Sequence, residues 1–326
     1  MRIQKVHTRE RGAALVAALC LIVTAGVLVG SLVSFSRISA INTAGMTDWM
    51  RSSYVAEGAA ARIRFLIEAD RFQFAVRRPN AVDFEEFEHD RYLADGSEHV
   101  LDYYGHEIKF TISDGLSGLP FQSGRAVNTL SRNRADETLV TDAVELYGDR
   151  INDYIDSDDT AREDSFETEE YEAMGIKNMP RNAELQYREE LLWIPGISGI
   201  FPVDADGRFS LIRHFRLPTS GQWSIYTVPY SILRTQGGMT AEQAAKVLRA
   251  VREWQLNHST PLEEALDETV LPLARRFSWQ ESGYYTVRIS QTDADKSGAR
   301  LLFTFQSDGV GGPRSKVATF IEFFRF

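Results

Sequence analysis

From Asp153 to Asp164 the chain reads DYIDSDDTARED, and Asp153, Asp156, Asp158, Asp159, Glu163 and Asp164 crowd into that stretch, with Glu167, Glu169 and Glu170 close behind. Like charges at this density repel unless water or a cation neutralises them. Hard oxygen donors on a flexible stretch suit calcium, which takes about six to eight oxygens at about 2.3 to 2.6 Å, better than zinc, which prefers nitrogen and sulphur. The spacing is not that of an EF-hand, because the required glycine and terminal glutamate are absent. A solvated acidic loop that keeps the protein soluble is the competing reading of the same residues. Two shorter acidic turns, DADG from Asp204 to Gly207 and DADKSG from Asp293 to Gly298, lie between strand-like runs and read as hairpin turns.

No other arrangement announces chemistry. His7 lies near the N-terminus, and His89, His99, His106, His214 and His258 are scattered without ligand spacing. There is no serine elbow, Walker or HExxH pattern, so the sequence points away from an enzyme. EELLWIPGISGIF, with Gly196 and Gly199, is similar to a helix-hairpin-helix turn, but its surroundings are strongly acidic and would repel phosphate. Helix packing is the better reading. The formal net charge is −10. Residues 136–172 hold 15 acidic and two basic residues, a local charge of −13, and this argues against a nucleic-acid partner.

The elements that must position the acidic run begin with the first helix. Arg2, Lys5, Arg9 and Arg11 precede Gly12, after which Ala13 to Phe35 carries no ionisable group except the thiol of Cys20, the sole cysteine. As a helix this run is roughly 34 Å long, against a hydrocarbon core of about 30 Å, so it is long enough to span a membrane once. It is too long for the apolar core of a cleaved secretory signal. The basic flank predicts residues 1–12 on the cytoplasmic side and the bulk outside. From Ser36 the pattern turns amphipathic, through Ile38, Ile41, Val55, Ala59, Ile63, Leu66 and Ile67, and no proline occurs before Pro79. One helix from about Ala13 to about Phe74 is predicted.

A basic leader ending in glycine, an apolar helix starting at once, and an amphipathic continuation together resemble the N-terminus of type IV pilins and type II secretion pseudopilins. The resemblance implies cleavage by a prepilin peptidase after Gly12 and methylation of the new N-terminus at Ala13. It also implies a glutamate at the fifth mature position, where this chain has Ala17. That glutamate attracts the terminal amine of a neighbouring subunit higher in the fibre, and unpaired in lipid it would cost several kcal/mol. An apolar residue there suits a subunit with nothing above it.

The segment starting at Asp142 resembles the central region of the protein K family of type II secretion. The match runs through Asp153, Tyr154, Ile155, Asp156, Asp158, Asp159, Glu167, Tyr171, Asn182, Leu185, Glu190, Leu191 and Gly196. It continues in SIYTVPYSILRTQGGMTAEQAAKVLRAVREW, where Tyr226 replaces the usual asparagine before Thr227, Val228 and Pro229, and in Ser282, Tyr284 and Tyr285. The resemblance implies bound Ca2+, with Asp156, Asp158, Asp159 and Glu167 as the expected ligands. It implies a minor pseudopilin that starts or caps the pseudopilus at its tip, partnered by minor pseudopilins I and J, other pseudopilins and a prepilin peptidase, and held in the inner membrane with its bulk in the periplasm. A minor pilin or adhesin of a type IV pilus shares the anchor and is the alternative. A membrane-anchored hydrolase would need an activity the sequence does not announce.

The expected fold class is α+β, with a type IV pilin-like long N-terminal helix packed on an antiparallel sheet and a mostly helical inserted domain. The runs VLDYYGHEIKFTISD, GRFSLIRHFRL, YYTVRIS, RLLFTFQSD and KVATFIEFFRF read as strands. The expected divisions are a leader 1–12, a membrane part 13–35, a pilin-like body 36–131 and 272–326, and the insertion 132–271.

Overall fold

The structure is a computed structural model that describes residues 6–74, 77–79, 91–120, 137–199, 201, 203–204, 207–209, 211–258, 260–292, 299–307 and 320–325. The expected turn DADKSG and the start of the last expected strand, 316–319, lie outside these residues, as do His89 and part of the DADG turn.

Helix α1, Val6–Gln73, is unbroken. Its start is earlier than expected, so Gly12 and Ala13 lie inside it. Contacts divide the chain into two units, residues 1–54 and 55–326. In the first, α1 exposes Leu15, Leu19, Ile22, Val29 and Leu32 and meets the length and hydropathy of a membrane span. Thr24 and Ser31 satisfy their hydroxyls within the helix: Thr24 Oγ1 donates to the Cys20 carbonyl at 2.9 Å and Ser31 Oγ to that of Val27 at 2.8 Å. Such back-bonding lets polar side chains sit in an apolar medium.

In the second unit α1 turns a face of Ala56, Ala59, Ala60, Ile63 and Ile67, all fully buried, onto an antiparallel sheet of order β1-β2-β3-β4-β5. The strands are β1 Asp95–Tyr103, β2 His106–Asp114, β3 Tyr284–Thr292, β4 Leu301–Gln306 and β5 Phe320–Arg325. Three alanines at three- and four-residue spacing remove side-chain bulk, so the helix lies close to the strands. The inward residues alternate: Ile108, Phe110 and Ile112 on β2 face Tyr285, Val287 and Ile289 on β3, and Leu301, Phe303 and Phe305 follow on β4. VLDYYGHEIKFTISD, read as one strand, contains the hairpin between β1 and β2, closed by Tyr104 and Gly105 in left-handed conformation. Gly58 on α1 leaves room for the end of the Tyr103 ring, which a Cβ there would push aside.

Between β2 and β3 the chain builds a second core. It contains α2 Glu137–Ile155, α3 Thr168–Ala173, α4 Tyr230–Thr235, α5 Ala241–Asn257, α6 Leu262–Ala265 and α7 Leu271–Ala274, with 3₁₀ turns at Arg188–Trp193 and Ile197–Gly199. Leu191, Ile194 and Ile197 of the helix-hairpin-helix-like segment are buried in it, so that segment packs as short 3₁₀ turns rather than an α-helix. Thr240 caps α5, its Oγ1 accepting from Gln243 N at 3.2 Å while Gln243 Oε1 accepts from Thr240 N at 2.8 Å.

One expected strand is corrected. Among the described residues, GRFSLIRHFRL forms only isolated bridges, at Phe209 to Val203 and Ile212 to Leu119. Leu211, Ile212, Arg213 and His214 are all buried in succession, so the run lacks the in-out alternation of a strand with one solvent face. Arg213 holds the bend by donating to the carbonyls of Leu116, Gly118, Pro218 and Ser220. Glu322 on β5 joins the second core to the sheet, accepting from Arg188 Nη2 at 2.7 Å and from Arg208.

Candidate metal centre

Two helices bring the site together. Asp153 lies near the C-terminal end of α2, Asp156 just past it, and Glu167 immediately before α3. Asp153 and Asp156 are three residues apart, on one face of the helical turn that ends α2. One carboxylate oxygen from each of Asp153, Asp156 and Glu167 lies within 4.8 Å of the others. Ligands on opposite sides of one calcium ion are about 4.6 to 5.2 Å apart, so the trio fits around a single ion. The C-terminal end of a helix the length of α2 adds partial negative charge beside it.

The carboxylates of the trio are largely withdrawn from solvent. Asp153 is fully buried and Glu167 is 3% exposed. Neither carboxylate oxygen of Glu167 makes a well-formed hydrogen bond among the described residues, its side chain only loosely facing the Glu170 N–H in the capping box of α3. Burial pushes the Glu167 carboxyl above its ordinary range, and the charges of Asp156, Asp159, Asp158 and Glu170 push it further. Asp156 is raised by burial and then by Asp158. A buried carboxylate with no donor is costly unless protonated or bound to a cation. An all-oxygen donor set with an orphaned buried member fits a hard divalent ion.

The surrounding chain is firmly held. Glu167 N donates to Glu170 Oε2 at 2.9 Å, fixing the entry to α3. Arg150 Nε donates to the Asp164 carbonyl at 2.9 Å and Nη1 to that of Pro195 at 2.7 Å, and its guanidinium lies 4.6 Å from the Phe166 ring centre. Tyr171 packs edge-on to Tyr154 and Phe166 beneath the site.

Of the four expected ligands, Asp156 and Glu167 come together, and Asp153 joins them. Asp158 and Asp159 lie on the exposed loop outside the trio, where Asp158 Oδ1 accepts from Thr160 N at 3.0 Å. Their charges act on the Glu167 carboxyl. Gly12 and Ala13, the expected processing site, sit in the early turns of α1.

A second cluster escaped the sequence. Ser97 Oγ and Asp95 Oδ2 each lie 3.1 Å from the same His258 nitrogen, Nε2. A nucleophile–base–acid relay needs the acid on the other ring nitrogen. Asp95 also accepts from Trp254 Nε1 at 3.0 Å and Ser97 N at 2.9 Å, so the cluster ties β1 to α5.

No protein-family profile matches the chain, and no curated protein matches it. Among solved structures it is similar to the crystal structure of the GspK-GspI-GspJ complex from the enterotoxigenic Escherichia coli Type 2 Secretion System. That likeness has a TM-score of 0.49 at 15% identity, covering 87% of this chain and 99% of that one.

Proposed function

We propose that this chain is a minor pseudopilin at the tip of a type II secretion pseudopilus, starting or capping the fibre that exports folded proteins. The observation that carries the reading is α1, a single helix of lipid-facing composition in its first part that buries Ala56, Ala59, Ala60, Ile63 and Ile67 against an antiparallel sheet in its last part. Such a helix anchors a subunit in the inner membrane while it waits, and then packs beside its neighbours when the fibre grows. Prepilin peptidase would cut after Gly12 and free Ala13. Ala17 leaves no buried carboxylate at the position that would need an amine above it, which fits a topmost subunit with pseudopilins I and J beneath. The segment 132–271 would be an inserted domain, too large to be enclosed along a fibre and free to project at its end.

In this reading Asp153, Asp156 and Glu167 hold a calcium ion, with Asp158 and Asp159 near enough to add charge. The ion would supply the positive charge that Glu167 lacks and pin the loop 156–167 to the ends of α2 and α3.

Co-expression with a prepilin peptidase followed by N-terminal mass spectrometry tests the proposal. A mature chain starting at Ala13, methylated on its amine, is expected. An intact Met1, or cleavage beyond residue 35, would sink it.

A further inference from the structure

One cation already touches the candidate centre. Arg162 Nη1 contacts Asp153 Oδ1 and lies 2.8 Å from Asp156 Oδ2. Its backbone N–H donates separately to Asp153 Oδ2 at 2.7 Å. Residues 136–172 contain two basic side chains, Arg150 and Arg162. Arg150 is committed to the carbonyls of Asp164 and Pro195, which leaves Arg162 as the one aimed at the carboxylates.

Resting on the metal reading above, we infer that Arg162 is a built-in counter-cation. It holds Asp153 and Asp156 in the metal-free protein and is displaced into solvent when a divalent cation binds. The charge balance favours the exchange. One guanidinium faces three carboxylates and leaves both oxygens of Glu167 without a donor, whereas a divalent ion can draw on all three. The route is open as well, since the Arg162 side chain is 40% exposed. The contact to Asp156, itself 27% exposed, is partly solvated and weak enough to give way, and the incoming divalent ion takes over the neutralisation of the buried Asp153. The backbone bond to Asp153 does not involve the guanidinium, so the loop stays anchored while the side chain leaves. Arginine does not deprotonate in proteins; the exchange is therefore of one cation for another, and Arg162 sets the affinity.

Calorimetric titration of calcium chloride into the full-length chain in detergent tests this, comparing wild type with Arg162→Gln and Arg162→Lys. About 0.3 M potassium chloride screens charge effects acting through solvent. Arg162→Gln is expected to bind calcium roughly three- to tenfold more tightly than wild type, the scale of one partly exposed ion pair. Arg162→Lys, which keeps the charge, is expected to stay near wild type. In the unmodified chain, phenylglyoxal is expected to label Arg162 faster in calcium than in chelator, read by peptide mass spectrometry, and this arm needs no variant to fold. Equal or weaker binding by Arg162→Gln, or labelling indifferent to calcium, overturns the exchange while leaving the metal site standing. If neither wild type nor Arg162→Gln binds calcium, the metal reading fails and the exchange fails with it.

Discussion

At the scale of single residues, Glu167 is the sharpest test of the metal centre, because its effect changes sign with calcium. In chelator, Glu167→Gln removes a buried charge that has no donor and is expected to raise stability by about 1 kcal/mol. In calcium the same change deletes a ligand, and the calcium-dependent rise in melting temperature is expected to disappear. Thermal melts of both forms in both buffers decide it; a variant less stable than wild type in chelator would show that Glu167 is not an orphan. The pH dependence follows from the raised carboxyls of Glu167 and Asp156. A carboxyl that binds its proton more tightly when folded stabilises the fold at low pH and loses that contribution as pH rises through its folded value. Calcium needs the bare carboxylates, so its binding runs the other way. The gap in melting temperature between calcium and chelator is expected to shrink from neutral pH toward about pH 4 to 5, and a gap that widened would contradict the site. Asp95 acts in the opposite sense: burial would raise it, but the bonds from His258 and Ser97 outweigh that and hold it low, so its contribution is present at neutral pH and is lost as pH falls through its folded value. Asp156 and Glu167 were legible as candidate ligands because they stand in an obvious acidic run. Asp153 stands in the same run, but its helical position hides it until the three-residue spacing to Asp156 is read as one face of α2.

At the scale of elements, the face of α1 that meets the sheet is built from small residues, and bulk there is expected to be punished. Ala60→Leu forces a branched side chain into a fully buried position and is expected to cost about 1 to 3 kcal/mol. The same change at Ala18, on the exposed apolar part of α1, is expected to leave the melting temperature unchanged. If Ala60→Leu were silent, the helix would not pack on the sheet as described. The helix was legible from its lack of breakers and its change from uniform to periodic hydrophobicity, β2 and β3 from alternation, and β4 from its short aromatic-rich apolar run. The run 207–217 misled because its apolar residues look strand-like while Arg213 and His214 are buried with them. No local pattern reveals that a guanidinium will be spent on four main-chain carbonyls.

At the scale of the whole molecule, two cores are joined by a small number of buried charges. Glu322 is 4% exposed and accepts from both Arg188 and Arg208. Glu322→Ala would leave Arg188 and Arg208 sharing Glu189, with the Ile212 carbonyl also held by Arg188, and is expected to cost about 1 to 3 kcal/mol, measured as a lowered denaturation midpoint; no measurable loss would mean that Glu189 and water replace the carboxylate without penalty. This coupling was invisible in the sequence, since the partners are more than 100 positions apart. The path of the chain carries a further consequence, for the order of folding events. The chain leaves the sheet at Asp114 and returns beside it at Ser282, whose N–H and Oγ both bond that carboxylate across a separation of 168 residues. In an unfolded chain, closing such a loop costs about 4 to 5 kcal/mol of entropy. The hairpins β1–β2 and β3–β4 are local and can form at once, whereas the pairing of β2 with β3 must wait. Once the second core has collapsed its two ends are already neighbours, and most of that entropic barrier is gone. The sheet is thus expected to close late, with the helical core acting as the template that brings its two halves into register.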